Sequence, residues 1–396
     1  MKCKITNKTI NPFMTFGKMP VANGFVDKKD FNNEFYFEME VGFNEELSLF
    51  QLNDHPAPEK MFNKNYPFFT GSSEFMKSHF KNYADFVKTN FLKTGSKIIE
   101  IGSNDGTFLK NFNEDKKNIV GFEPSSNVAE KAIINGVPTI NKFFNTKNIS
   151  GIPNFLGNTD LICASNVICH VPDLNNLIKC VDLMLSTSGT FVFEEPYLGS
   201  MFNKISYDQI YDEHIFIFSA TSVKNIFQRH DFDLIDAIPQ KTHGGSMRYV
   251  IKRKNKSSLS NNLKKILQEE NKNKLDIVES CLIFKKNCEI SKEKINNKIE
   301  RLKNSGKSIC GYAATSKSTT ILNYCGINTK HIDYICDTTE EKIGKYTPGT
   351  HIPIKSMDYF YNNQTDSIYL FAWNHKNEIL SKEKAIKGEW FSHVSL

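Results

Sequence analysis

Eight residues, YDQIYDEH from Tyr207 to His214, hold two tyrosines, three acids and a histidine. Such a set can move a proton. Imidazole titrates near neutrality, and a carboxylate beside it raises its affinity for a proton. His214 is the candidate base of the stretch. Glu213 precedes it, free either to support it or to grip a hydroxyl, and Tyr211 offers an O–H for charge that develops on an oxygen. Facing water, the same residues would form only a solvated acidic loop with a surface histidine. A second loop, HGGSMR from His243 to Arg248, precedes a strand-like run. Gly244 and Gly245 would let backbone approach a ligand and His243 would be a contact, although a plain hairpin turn fits as well.

A third stretch reads as a ligand crevice. EIGSNDGTF, Glu100 to Phe108, follows an apolar strand and is expected to open a helix. Gly102 and Gly106 permit a tight turn and close ligand approach. Neither the G-x-G-x-x-G of dinucleotide enzymes nor the GK[ST] of a P-loop is present. Asn104 and Asp105 stand where a diphosphate would need backbone amides, so the turn suits a cationic or hydroxyl-rich ligand. Glu123, 23 residues after Glu100, ends the next strand in GFEPS, where a carboxylate can accept from ribose hydroxyls. Asn166 and His170 end a further strand in ASNVICHVPD. A glycine turn, a ribose acid and no phosphate clamp point to S-adenosylmethionine. Otherwise the glycines merely close turns.

These residues need a scaffold, and the chain is long enough for two or three domains at 396 residues. A first part, residues 1–70, reads as a small β-rich module from the runs FYFEMEVGF and LSLFQL. A helical period follows in SSEFMKSHFKNYADFVKTNFLK, with Phe75, Phe80, Phe86, Val87 and Phe91 near one face. From residue 97, strands and helices alternate through KIIEIG, NIVGFE, DLICASNV and GTFVFEEP, which predicts a parallel sheet covered on both faces in residues 71–252. Charged helices over about 257–304 lead to a second alternation, SICGYAAT, HIDYICD and SIYLFAW, in a part spanning 253–396. The expected class is α/β: a central Rossmann-like domain of the class I methyltransferase type, flanked by the β-rich module and a C-terminal Rossmann-like domain.

Composition removes several alternatives. The net charge of +6 is small, and the lysine-rich run from Lys252 to Asp276 also carries Glu269 and Glu270, so it reads as a solvated helix face and not a nucleic-acid stripe. No segment approaches the roughly 18 apolar residues of a membrane span, and MKCKITNKTI has no apolar core for a signal peptide. Nine scattered cysteines suit a reduced, cytoplasmic protein with free thiols.

Taken in order, PVANGF, EIGSNDGTFL, YDQIYDEH, HGGSMR, LNYCGI and KIGKYTPGTHIPI resemble the sugar C-methyltransferase family acting on nucleotide-linked 4-keto-deoxysugars, over nearly the whole chain. The resemblance implies a zinc-binding N-terminal module, an S-adenosylmethionine domain and a C-terminal Rossmann-like domain. The implied reaction is methyl transfer to the carbon beside a ketone. It matches Tyr211, Glu213 and His214 to a Y-x-E-H catalytic cluster with the histidine as base and Tyr211 as donor to the enolate. It places Tyr66 near the sugar, with Phe68 where a second aromatic hydroxyl is common, and HGGSMR along the sugar site. One departure is clear. The two C-x-x-C pairs of the zinc module read Cys3-Lys-Ile-Thr6 and Asn44-Glu-Glu-Leu47, which leaves one thiolate of four, and His55 is too weak to replace the rest. No zinc is expected. Packing of Phe13, Phe16, Phe25 and Phe35 is expected to hold the module instead.

In the C-terminal part, GYAATSKSTT opens a helix whose free N–H groups favour anions, with Lys317 adding charge, and Asp337 ends the next strand 26 residues after Gly311. Alone this pattern suggests NAD; with the resemblance it suggests a hold on the nucleotide-sugar or a structural relic. Trp373 and Asn374 end a strand and receive no task. The expectation is therefore a soluble C-methyltransferase, monomeric or weakly self-associating, with no nucleic-acid or membrane partner. An O- or N-methyltransferase on a related sugar, or a non-catalytic nucleotide-sugar-binding protein, are the alternatives.

Overall fold

The computed structural model describes residues 1–64 and 66–395. Alternating apolar residues first build three antiparallel strands, β1 (Pro12–Pro20), β2 (Tyr36–Asn44) and β3 (Leu49–Leu52). The middle of the chain adds β4 (Ile98–Ile101), β5 (Ile119–Phe122), β6 (Thr139–Ile140), β7 (Thr159–Ser165), β8 (Leu185–Pro196), β9 (Phe216–Ile217), β10 (Phe232–Gln240) and β11 (Ser246–Arg253). Seven of these form one sheet in the order β10-β11-β8-β7-β4-β5-β6, in which β11 alone runs against the others. The remaining strand, β9, pairs with β3 and completes the first sheet as its fourth strand.

The last part contributes β12 (Ile309–Tyr312), β13 (Tyr334–Cys336), β14 (Ile354–Lys355), β15 (Ser367–Leu370) and β16 (Glu389–Phe391). They form an all-parallel sheet ordered β14-β13-β12-β15-β16. Both Rossmann-like sheets reverse their strand order beside a central strand, β4 in one and β12 in the other. Crevices for ligands open at the C-terminal ends of strands at such points. The expected α/β class is the one observed.

One apolar core fills the central sheet, and a second is shared by the N-terminal sheet, the long helix Val278–Asn304 and the C-terminal sheet. Leu49 and Phe216 of the N-terminal sheet also belong to the first core, so the two cores together tie the three sheets around one space. Phe13 and Phe16 contribute to the second core as expected and Phe25 packs partly against it, but Phe35 is 45% exposed and holds nothing together. Positions 3, 6, 44 and 47, aligned with the thiolates of the resembled zinc module, do converge. Thr6 N donates to Cys3 Sγ, Asn44 Nδ2 to Thr6 Oγ1, and Leu47 N to Asn44 Oδ1. Leu47 brings no donor atom to this knot, so it does not fit a tetrahedral metal site. His55 Nδ1 meets the Pro56 carbonyl.

Three further expectations change. The helix Glu74–Phe91, capped by Ser73, buries Met76, Phe80, Tyr83, Ala84 and Val87, while Phe75 points outward. After Gly102 the chain runs through turns, with Asn104 and Gly106 at positive φ angles that an α-helix cannot hold, and a 3-10 helix follows at Leu109–Asn118. Glu270 is not solvated: its buried carboxylate accepts from Ala220 N, Thr221 N and Thr221 Oγ1, satisfying free donors at the start of helix Ala220–Gln228. Among the described residues no helix is long and apolar enough to cross a membrane.

Candidate active site

The space between the sheets is a cavity of about 650 Å³. Its wall takes Asn23 and Tyr66 from the first part, the tips of β4, β5 and β7 from the second, and Lys317 and Asp337 from the third. Of the residues singled out from the sequence, Tyr66, Glu100, Gly102, Asn104, Glu123, Asn166, His170, Tyr211, Glu213, His214, His243 and Lys317 all line it.

Asp105 and Gly106 do not. The Asp105 carboxylate turns back to accept from Gly71 N at 2.8 Å and from Thr107, pinning the approach to helix Glu74–Phe91. Gly106 is needed for its φ of +79° and because a Cβ there would strike Val137. Gly102 does line the cavity, but its glycine is required by φ +66° and by the Val167 side chain, which lies 2.3 Å from where a Cβ would stand. Both are packing glycines before they are ligand glycines.

The crevice keeps open hydrogen-bonding capacity. Glu123 Oε2 accepts from Asn104 N at 3.1 Å and Oε1 from Ser125 N at 2.8 Å, which aims the carboxylate from the tip of β5. Asn104, at φ 49°, is held there by its side chain, which accepts from Thr70 N and donates to Phe68 O. Glu100 Oε2, Asn166 Oδ1 and His170 Nε2 are buried without partners among the described residues. Burial pushes the Glu100 carboxyl far above its ordinary value, and the neighbouring Asp105 and Glu123 add to the effect. Acids and orphaned acceptors of this kind fit a ligand carrying hydroxyls and a positive charge, which is the donor set S-adenosylmethionine requires.

Opposite the crevice, YDQIYDEH is buried, not solvated. It runs through the 3-10 turn Tyr207–Gln209 and then places His214 under the cavity. His214 Nδ1 lies 2.7 Å from the Gln209 carbonyl, an oxygen that can only accept, so Nδ1 carries the proton and Nε2 the lone pair. Nε2 in turn meets the Tyr211 hydroxyl at 2.8 Å. Burial, with His170 beside it, holds the imidazole well below its ordinary value, so it is uncharged. The rings of Phe62, His170 and His214 stack in a column, with centroids 5.6 and 5.4 Å apart.

Glu213 does not reach His214. Its Oε1 accepts from Asn23 Nδ2 at 2.7 Å, and Asp212 beside it accepts from Ala22 N at 2.9 Å. Burial raises both carboxyls, and Asp212 raises Glu213 further. Asn23 Oδ1 also accepts from Ser316 Oγ at 3.0 Å, so one side chain joins all three parts of the molecule. Its only trace in the sequence is the motif PVANGF. Tyr66 lies close enough to Glu213 and Glu123 that their charges, after burial, push its hydroxyl far above the ordinary range. His243 sits at φ 52° in the turn joining β10 to β11, and burial followed by Lys317 holds its imidazole down at about 3. That turn is both a hairpin and part of the cavity wall.

Sequence reasoning also missed Glu195, the second acid at the tip of β8. Its Oε1 accepts from Val167 N and Ile168 N, its Oε2 is buried without a partner, and burial raises its carboxyl to about 7. It supports the segment that presents Asn166 and His170. Cys169, His170 and His214 bring one potential ligand atom each within 4.8 Å of one another. However, both nitrogens of His214 are engaged, and burial holds the Cys169 thiol far above its ordinary value, so these groups suit proton handling better than metal binding.

Residues 75–237 match the family described as "Methyltransferase domain", and residues 241–394 match "C-methyltransferase C-terminal domain". The "C-methyltransferase NovU" of Streptomyces niveus is 27% identical over 374 residues, covering 94% of this chain and 89% of that one. The chain is thus similar to a C-methyltransferase over nearly its whole length, and two methyltransferase family models match adjoining parts of it. It is an enzyme that depends on S-adenosylmethionine. Two solved structures align weakly and over less than half of this chain. The YcgJ protein of Bacillus subtilis covers 45% of it with a TM-score of 0.35 and 13% identity, over 99% of its own length. Magnesium protoporphyrin IX methyltransferase of Synechocystis, solved with bound SAH, covers 45% with a TM-score of 0.35 and 9% identity, over 83% of its own length.

Proposed function

We propose that the enzyme, working in the cytoplasm, methylates the carbon beside the ketone of a nucleotide-linked 4-keto-deoxysugar, with His214 as general base. The observation that carries this reading is the tautomer of His214. An uncharged imidazole with Nδ1 tied to a carbonyl presents a lone pair at Nε2, which can take a proton once the Tyr211 hydroxyl turns from it, and it lines the same cavity as the donor crevice. When bound, S-adenosylmethionine supplies a methyl group on a sulfonium, which is already electrophilic and needs no activation.

The chain has to make the acceptor carbon nucleophilic. His214 Nε2 removes the proton on that carbon, and the C–H electron pair moves into the enolate. The Tyr211 O–H, which occupies the Nε2 lone pair in the resting site, turns to the ketone oxygen as the proton moves and donates to the enolate oxygen that forms. The enolate carbon would then take the methyl group that S-adenosylmethionine would supply, with the C–S electron pair kept on sulfur. Glu100, Gly102, Asn104, Glu123, Asn166 and His170 hold the donor. Tyr66, His243 and Glu213 face the sugar, and Glu213, held largely protonated, can donate as well as accept. Lys317, near the start of helix Ser316–Cys325, serves the diphosphate.

Incubation with a panel of 4-keto sugar nucleotides in deuterated water, with the methyl donor left out, tests the reading. Deuterium should enter one sugar carbon, and His214→Ala should reduce that exchange by about 100-fold or more. Turnover without any exchange would instead mark an O- or N-methyltransferase. Because His214 is held below its ordinary value, the acid limb of kcat/KM is expected well under pH 6.5.

A further inference from the structure

Asp208, at the heart of the 3-10 turn before His214, is a fully buried carboxylate that the mechanism above does not use. Both its oxygens are taken by the C-terminal part. Oδ2 accepts from the Trp373 indole N–H at 2.6 Å, and Oδ1 faces His393 Nε2 at 3.2 Å. Burial alone would raise this carboxyl, yet His393 leads the groups that hold it below its ordinary value. The residues on either side are tied to the same part: Tyr207 OH meets Cys325 Sγ at 3.5 Å and Thr320 Oγ1 donates to Ile210 O at 2.9 Å. Gln209, between them, offers the carbonyl that sets the His214 tautomer. Trp373 also lies where a Cβ on Gly244 would stand, its Cη2 2.2 Å from that position, so the same indole seats the His243 turn.

The geometry points to Trp373 and Asp208 as positioning residues, through which the C-terminal sheet holds the His214 base in register with the cavity. The indole N–H fixes the Asp208 carboxylate and the carboxylate fixes its turn. The turn then presents the Gln209 carbonyl that keeps the proton on Nδ1 and the lone pair on Nε2. Trp373 follows the end of β15 and His393 follows β16, so two neighbouring C-terminal strands meet on one carboxylate. This rests on the reading of His214 as base.

The test uses the full chain and three variants. Trp373→Phe removes the N–H, Asp208→Asn removes the charge that faces His393, and Trp390→Phe alters the second indole, which packs on Tyr312 at 5.3 Å away from this turn. Nitrogen-15 NMR of the imidazoles without ligand, with His214 assigned through His214→Gln, reads the tautomer directly. The expected result is a single Nδ1–H form in the unaltered protein and in Trp390→Phe. The two variants around Asp208 should gain an Nε2–H form. Their kcat with S-adenosylmethionine and the accepted keto-sugar nucleotide should fall about 10- to 100-fold, with KM and donor affinity within about twofold.

Loss of stability alone would not move the tautomer, and Asp208→Asn carries the test if Trp373→Phe fails to fold. An unchanged tautomer with full kcat in both variants overturns the proposal. If His214→Ala retains turnover, the base reading falls by itself, and the NMR result still decides whether Trp373 and Asp208 orient the ring.

Discussion

The central and C-terminal crevices are built alike and differ in the charges that surround their acids. In one, Gly102 N donates to Phe122 O at 2.7 Å, Asn104 takes φ 49°, and Glu123 accepts from Asn104 N and Ser125 N. In the other, Ala313 N donates to Cys336 O at 2.8 Å, Ala313 takes φ 74°, and Asp337 accepts from Ala314 N and Thr339 N. What differs is what stands nearby. Around Glu123 the acceptors of Glu100 and Asn166 are left bare. Beside Asp337, Lys342 Nζ lies 3.8 Å from the carboxylate and donates to Ala314 O, and Lys317 stands in the same wall. A strand-tip acid surrounded by acceptors favours hydroxyls and a cation, whereas one neutralised by its own lysine leaves the crevice open to an anion. The same local construction therefore carries no fixed ligand.

The largest expected difference between the two is in donor binding. Glu123→Ala should weaken S-adenosylmethionine by about 10- to 100-fold in calorimetry, the loss expected for charge-assisted hydrogen bonds. Asp337→Ala should leave that affinity within about twofold, and equal losses would erase the distinction.

Lys317→Met should raise KM for the sugar nucleotide by about tenfold without touching donor affinity, and its salt dependence should flatten. A loss of donor affinity instead would join the two crevices into one site.

A smaller effect tests the acids between them. Burial raises the Glu213 carboxyl, so between its unfolded value near 4.3 and the higher folded one the native state holds more protons. Its contribution to stability is therefore complete at low pH and lost as pH rises through the folded value. Glu213→Gln removes that slope. Its melting temperature should gain on that of the unaltered protein by about 1–3 °C between pH 5 and 8.5, measured by calorimetry. The smallest change expected is at the two positive-φ residues. Ala313→Gly should stabilise by about 0.5 kcal/mol, since alanine gains nothing from that conformation. Asn104→Gly should destabilise, since it forfeits the bonds to Thr70 and Phe68. Opposite signs in thermal unfolding would support the contrast.

Much of the scaffold was legible because strands and helices bury their faces with different periods. KIIEIG, NIVGFE and DLICASNV read as neighbouring parallel strands, and their ends carry Glu100, Glu123 and Asn166 to one rim. Periodicity was weaker where residues of one type abound: among the phenylalanines, Phe75 and Phe35 looked like core and are exposed. The alternation also could not say that β9, in the segment after His214, would complete the N-terminal sheet.

By itself the sequence determined the elements, the strand-tip acids and the stretch that holds His214, because each depends on residues close together in the chain. Tertiary structure alone decided where those side chains point. It turned Asp105 to Gly71, gave Glu213 to Asn23 from 190 residues away, buried Glu270 against a helix end, and set Trp373 against Asp208. A buried polar group must find a partner wherever packing leaves one, and that choice is made by neighbours in space, which no local pattern encodes.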